Sequence, residues 1–233
     1  MGMKNQPPAL RPFLPQDLKA VSELFRASIE DLTADDYDEK QREAWISGSN
    51  DEAAFGARLA ENLTILAFQQ TKLAGFASFK NNQILDMLYV HPDFSGQGVG
   101  GYLLEAIEKL AAHRGVKKIT LESSDTAKDF FIARGYAPQS RITHLRMDQW
   151  LGVTTMTKEL EDLNKLIGLN KIKTQIIDII LYYTLYNKMS ELCRKINCNK
   201  KPSFNFEFDI FKKDRNCLIL YFNVQKRISQ FRF

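Results

Sequence analysis

Leu88-Tyr89-Val90-His91-Pro92-Asp93-Phe94-Ser95-Gly96-Gln97-Gly98-Val99-Gly100-Gly101-Tyr102-Leu103-Leu104 is the stretch on which the reading of this 233-residue chain turns. An apolar strand, Ile84–Val90, is stopped by Pro92 and runs into a glycine cluster. A helix follows, with Tyr102, Leu103, Ile107, Leu110 and Ala111 at helical spacing. Glycines let a backbone bend and approach a ligand closely. The unpaired N–H groups of a helix start, aided by the helix dipole, favour an anion in such a turn. The stretch therefore predicts a phosphate or pyrophosphate site. A P-loop is excluded, because no Gly-Lys-Ser/Thr follows at the required spacing. Gly96, Gly98 and Gly101 do fit a dinucleotide fingerprint, with Glu122 near the expected acidic position, although the stretch lies mid-domain after several strands. A turn that binds nothing is the bland reading, and four glycines within six residues at a helix start speak against it.

Outward from this stretch, the pattern alternates between the two periods. Upstream it predicts a strand at Ala9–Pro12, then a helix capped by Asp17 carrying Val21, Leu24 and Phe25 to about Ser28. Residues 30–50 are acidic and mixed, with no element assigned. A helix is expected at 51–62 with Phe55 and Leu59 on one face, then strands at 63–69 and 73–79. Downstream, Gly115 ends the helix. A strand at 118–122, a short helix at 127–134 capped by Gly135, and strands at 142–147 and 154–160 complete the order. The result is an α/β domain whose sheet is mostly antiparallel on its N-terminal side.

Val90-His91-Pro92 followed by Ser95-Gly96-Gln97-Gly98-Val99-Gly100 resembles the acetyl-CoA-binding motif of the GNAT acetyltransferases, which reads Arg or Gln, two residues, Gly, any residue, Gly or Ala. Ser95 stands at the first position, and Gly98 and Gly100 match. The resemblance runs over roughly residues 9–160 in element order and is specific across 84–136. It implies a GNAT fold, a mixed central sheet with flanking helices, and acetyl-CoA as co-substrate. It further implies that Leu88, Tyr89 and Val90 pair with the pantetheine arm, and that Ser95, Gly96, Gln97, Gly98, Val99, Gly100 and Gly101 cradle the phosphates. Ser124, Ala127 and Phe131 fall at the family's Asn, Ala and Tyr positions on the next helix, so only the alanine matches.

Acetyl transfer to an amine requires a proton acceptor, because an alkylamine has a pKa near ~10.4. It also requires a polarised thioester carbonyl, and the resemblance implies the Val90 N–H for this. Asp86, a carboxylate on an apolar strand, is the candidate general base, acting through a water; the alternative is an ordinary hydrogen-bonded strand residue. Phe131 occupies the position of the family's proton-donating tyrosine, which leaves Tyr89, or Tyr102, as the candidate general acid. His91 reads as a surface residue, and His113 as a favourable charge at a helix end. His144, on a late strand, could face the site. The acids Glu30-Asp31, Asp35-Asp36 and Asp38-Glu39 could attract a cationic amine or form a solvated loop.

Composition divides the chain. Residues 1–164 hold 18 Lys/Arg and 23 Asp/Glu, whereas residues 165–233 hold 14 and 5, with no alanine after position 164. We therefore expect a GNAT domain at 1–162 and a basic, Lys/Asn/Ile-rich, mostly helical extension at 163–233. In the extension, residues 170–196 read as an apolar helix, and residues 162–173 resemble the segment preceding the core of AAA-type ATPases, without a Walker sequence. Three cysteines, Cys193, Cys198 and Cys217, are too few and too odd in number for a disulfide framework. They fit a reducing cytoplasm, and without a histidine nearby they make no metal site. No transmembrane span, signal peptide or nucleic-acid motif is expected. The expected activity is N-acetylation of a primary amine on a small molecule or protein. An acyl-CoA-binding module of impaired chemistry, and an interaction protein docking through its tail, remain as alternatives. Self-association as a homo-oligomer is left open.

Overall fold

The computed structural model describes residues 7–160. The basic extension, its ATPase-like stretch, the three cysteines and the expected boundary at 162 lie outside the described residues. Seven strands among the described residues form one mixed sheet: β1 (Ala9–Pro12), β2 (Leu63–Gln69), β3 (Lys72–Lys80), β4 (Ile84–Val90), β5 (Lys118–Ser123), β6 (Ala137–Arg146) and β7 (Gln149–Glu159). Their spatial order is β1-β2-β3-β4-β5-β7-β6. β1 to β4 are antiparallel neighbours, β4 and β5 run parallel, and β5, β7 and β6 are again antiparallel.

Among the described residues, five α-helices cover the sheet: α1 (Leu18–Leu32), α2 (Glu39–Ile46), α3 (Glu52–Glu61), α4 (Val99–His113) and α5 (Asp125–Ile132). A parallel pair needs a crossover, and α4 supplies it between β4 and β5. On one face, Val21, Leu24, Phe25 and Ile29 of α1 and Phe55 and Leu59 of α3 are buried against Leu66, Phe76 and Met87 of the sheet. On the other, Leu103, Ile107 and Leu110 of α4 are fully buried, with the helix lying over β2, β3 and β4. Burying a side chain of this size contributes about 1.5–3 kcal/mol each, so both faces drive folding.

The differences from expectation have local causes. α1 continues to Leu32, one turn past Ser28. Asp17 does not cap it through its side chain; its carboxylate instead accepts from the Leu14 N–H at 2.8 Å and pairs with Arg11 at 2.6 and 2.8 Å. α2 fills the unassigned acidic region. It buries only Ala44 and Ile46, so its apolar stripe is too thin to show as a period, but Asp38 and Gln41 form a reciprocal capping box. The helix after β5 starts at Asp125, because the Ser124 hydroxyl caps it by accepting from the Ala127 N–H at 3.2 Å. Gly135 closes that helix with φ +84°, as expected, and Tyr136 N–H returns to the Phe131 carbonyl at 3.1 Å. β6 is longer than the pattern indicated. It is an exposed edge strand with no strict alternation to read.

Candidate active site

The site begins with an irregularity in β4. Ser78 lies opposite Met87 but Phe79 lies opposite Leu85, so Asp86 is an extra residue bulged out of the ladder. The bulge presents Asp86 to α3. There Arg58 donates to both carboxylate oxygens at 2.8 Å, from Nε and Nη2, and Asn62 Nδ2 donates to Oδ2 at 3.0 Å. Asn62 Nδ2 also reaches Ser78 Oγ at 3.0 Å, tying the carboxylate to buried polar groups in the core. The hydrogen bonds it donates to Asp86 push the Arg58 guanidinium above its already high pKa.

Beyond the bulge the sheet opens. β4 and β5 pair only through Ile84 with Thr120 and Leu85 with Leu121. On the β3 side the ladder continues, and the His91 N–H donates to the Ala74 carbonyl at 2.9 Å. N–H groups along an antiparallel strand alternate in direction, so those of Leu88 and Val90 point away from β3 and into the opening. A length of backbone thus faces the gap with no strand to pair with.

The glycine turn lies at the open end of β4. Gly96 and Gly98 have φ of +72° and +86°, a region that favours glycine, and Gly98 is the N-cap of α4. The Tyr102 N–H bonds back to the Gly98 carbonyl at 3.0 Å, whereas the N–H groups of Gly98, Val99, Gly100 and Gly101 have no acceptor among the described residues. Gly100 and Gly101 serve a different purpose. A Cβ at Gly100 would touch the Phe130 ring, and one at Gly101 would run into the Arg134 guanidinium, so these two glycines let Phe130 of α5 and Arg134, just past its end, lie against the first turn of α4. Sequence reasoning missed Arg134. The signal that could have found it was a lone arginine just past the end of α5, directly before the closing Gly135 and four residues after Phe130.

Between the splayed strands lies a cleft of about 460 Å³. Phe25, Trp45, Phe55 and Tyr89 give it an aromatic wall. Asp86 and Arg58 lie on one side, Glu122, His144 and Arg146 on the other, with Ser124 and Phe131 at the α5 end. Tyr89 packs edge-on against Phe25 at 4.7 Å and stacks on Phe76 at 5.6 Å. Burial, opposed by the Arg58 charge, pushes its phenol up to about 12. His144 Nε2 lies 2.8 Å from Glu122 Oε2, both side chains about half exposed. Sequence reasoning left His144 open and did not connect it with Glu122. Phe131 is buried against Phe130 and Tyr136.

Other candidates fall elsewhere. His91 accepts from the Asp93 N–H at 3.2 Å in the turn after β4, and His113 ends α4. Two acids of the acidic stretch are engaged in local structure: Asp38 caps α2, and Asp36 accepts from the Thr126 hydroxyl at 2.5 Å. Tyr37 within it is buried, its hydroxyl accepting from the Asp125 N–H at 2.8 Å at the head of α5. Burial holds the Tyr37 phenol above its usual pKa. No helix among the described residues is long and apolar enough to cross a membrane.

Comparison with known proteins agrees with this geometry. The family model described as an acetyltransferase (GNAT) domain matches residues 33–160. The chain is 27% identical over 127 residues to the uncharacterized N-acetyltransferase YafP of Escherichia coli (strain K12), covering 54% of this chain and 79% of that protein. A solved GCN5-related N-acetyltransferase of Rhodopseudomonas palustris is 50% identical with a TM-score of 0.66, covering 69% of this chain and all of that one. The PaiA N-acetyltransferase of Thermoplasma acidophilum, solved with coenzyme A, shares the fold at 21% identity and a TM-score of 0.55, over 66% of this chain and 99% of that one. With the splayed β4–β5 pair and the glycine turn in place, this chain belongs to the GNAT acetyltransferase family, a family of acyltransferase enzymes.

Proposed function

We propose that the protein transfers the acetyl group of acetyl-CoA to a primary amine, on a small molecule or a protein, by direct attack of the amine on the thioester. The observation that carries this reading is the continuity of the open edge of Leu88, Tyr89 and Val90 with the free N–H groups at the start of α4. An extended pantetheine arm pairs with the edge, and its pyrophosphate meets Ser95, Gly96, Gln97, Gly98, Val99, Gly100 and Gly101. Ser124 and Phe131 border the arm from α5. The Val90 N–H donates to the thioester oxygen, where negative charge develops.

The amine nitrogen attacks the carbonyl carbon, the C–S bond breaks, and the amide forms as the nitrogen loses its proton. Asp86 accepts that proton through a water. Its bidentate pair with Arg58 fixes its position. The Glu122–His144 pair, whose members lie within hydrogen-bond distance of each other across the same cleft, is a second candidate acceptor. Tyr89 serves the departing sulfur as a hydrogen-bond donor. A phenol at about 12 gives up its proton to the thiolate of a ~8.5 thiol only uphill, so donation without full transfer is the lower path. We place this chemistry in the cytoplasm.

The test uses the full chain with acetyl-CoA and a panel of amines: polyamines, free amino acids and lysine-containing peptides. Release of free thiol is followed with time. Amine-dependent release is expected. In D86N and H144N the pH–rate profile identifies the acceptor, which is the group whose loss removes the acidic limb. Binding of acetyl-CoA with no release across the panel would favour the impaired-module alternative.

A further inference from the structure

The glycine turn is short of positive charge. From Leu88 to Glu108 there is no lysine or arginine, and the only ionised side chain within the turn is Asp93, which is acidic and exposed. Neutral N–H groups alone would have to hold a pyrophosphate bearing about two negative charges. One guanidinium is nevertheless delivered to the place. Arg134 comes from the end of α5, stacks with Cζ 4.0 Å above the Phe130 ring, and lies against Gly101 so closely that a Cβ there would strike it. No carboxylate among the described residues forms an ion pair with it.

Each part of this arrangement holds the guanidinium at the first turn of α4. Phe130 fixes its plane, since a flat cation over an aromatic face has a preferred orientation. Gly101 makes room that any other residue would fill. A stacked guanidinium keeps its N–H edge free for a planar or tetrahedral anion, and two of its donors can engage one phosphate at once. The guanidinium lies beside Gly101, whose N–H has no acceptor among the described residues.

We propose that Arg134 is a cofactor-binding residue. It supplies to the pyrophosphate of the acyl carrier the positive charge that the glycine turn lacks, and Phe130 and Gly101 hold it in place. This rests on the acetyl-CoA reading above and adds a residue outside the turn. It also gives α5 a role at the nucleotide end of the cofactor, whereas Ser124 and Phe131 face the cleft.

The experiment is isothermal titration of the full chain and of R134Q and R134K with CoA, dephospho-CoA and pantetheine. Dephospho-CoA keeps the pyrophosphate but lacks the 3′-phosphate, and pantetheine has neither. R134Q should weaken CoA and dephospho-CoA by the same factor, about tenfold or more for a charge-assisted contact. Pantetheine binding should be untouched, R134K should recover part of the loss, and the salt dependence of Kd should become shallower in R134Q. Equal affinities for R134Q and the unsubstituted chain would overturn the proposal. So would an equal loss for pantetheine, which would mark a packing role. A loss confined to CoA would move the contact to the 3′-phosphate and overturn the pyrophosphate assignment. If the unsubstituted chain bound none of the three, the acetyl-CoA reading and this proposal would fall together.

Discussion

Gly98 and Gly101 lie three residues apart in the same turn and are required for different reasons. At Gly98 the backbone has φ +86° and the space around a Cβ is empty, so the constraint is conformational. At Gly101 the backbone is helical and the space is taken by Arg134. Gly98→Ala should therefore cost about 1–2 kcal/mol of stability, the penalty for placing an L-residue in the left-handed region, and should misdirect the N–H groups that follow. Urea denaturation and acetyl-CoA titration of G98A measure the two effects; unchanged stability would mean the turn relaxes without cost. Asp86 is a second residue whose surroundings decide its behaviour. A carboxylate on an apolar strand needed a partner, and the bulge brings it to Arg58 and Asn62. The carboxylate itself was legible in the sequence. Its partners lie 28 and 24 residues away, beyond the reach of any local pattern.

Among the elements, α5 links most of the site. Its head carries the Ser124 cap and the Asp125 N–H held by Tyr37, its middle the Phe131 side chain beside the cleft, and its end the approach to Arg134. Ser124→Ala should lower stability by about 1 kcal/mol through loss of the cap, and Ser124→Asn should restore most of it. The denaturation midpoints of the two variants check this, and indifference to both would show that tertiary contacts alone hold the helix start. Strands 63–69 and 84–90 and the helix after the glycine turn were readable from periodicity because each buries a continuous apolar face. α2 and most of β6 were not. α2 buries only Ala44 and Ile46, and β6 runs exposed along the sheet edge, so neither carries the pattern that burial imprints on a sequence. The cradle of the candidate site was legible as glycines. The facing pair Glu122 and His144 was not, since the two meet only through the sheet order β5-β7-β6.

For the molecule as a whole, pH acts through phenols that burial keeps protonated. Tyr89 is raised from 10.0 to about 12, and burial, reinforced by the Glu108 charge, raises Tyr136 further still. A raised folded-state pKa contributes stability that is complete below the unfolded value near ~10 and is lost as pH climbs through the folded value. Unfolding free energy should therefore decline from about pH 10 upward, and Tyr89→Phe should make that decline shallower. Urea melts between pH 8 and 11.5 measure it; parallel curves for the two proteins would remove Tyr89 from the account. The same sheet has a mechanical consequence. β4 and β5 are joined at two residue pairs and diverge beyond them, like the tines of a fork fixed only at the handle. Each tine is stiffened by its own outer neighbour, and nothing within the sheet keeps the tips at a set spacing. An occupant that bridges them does so as a crosspiece, slowing deuterium uptake at the Leu88 and Val90 amides while leaving the handle at Ile84 and Leu85 as it was.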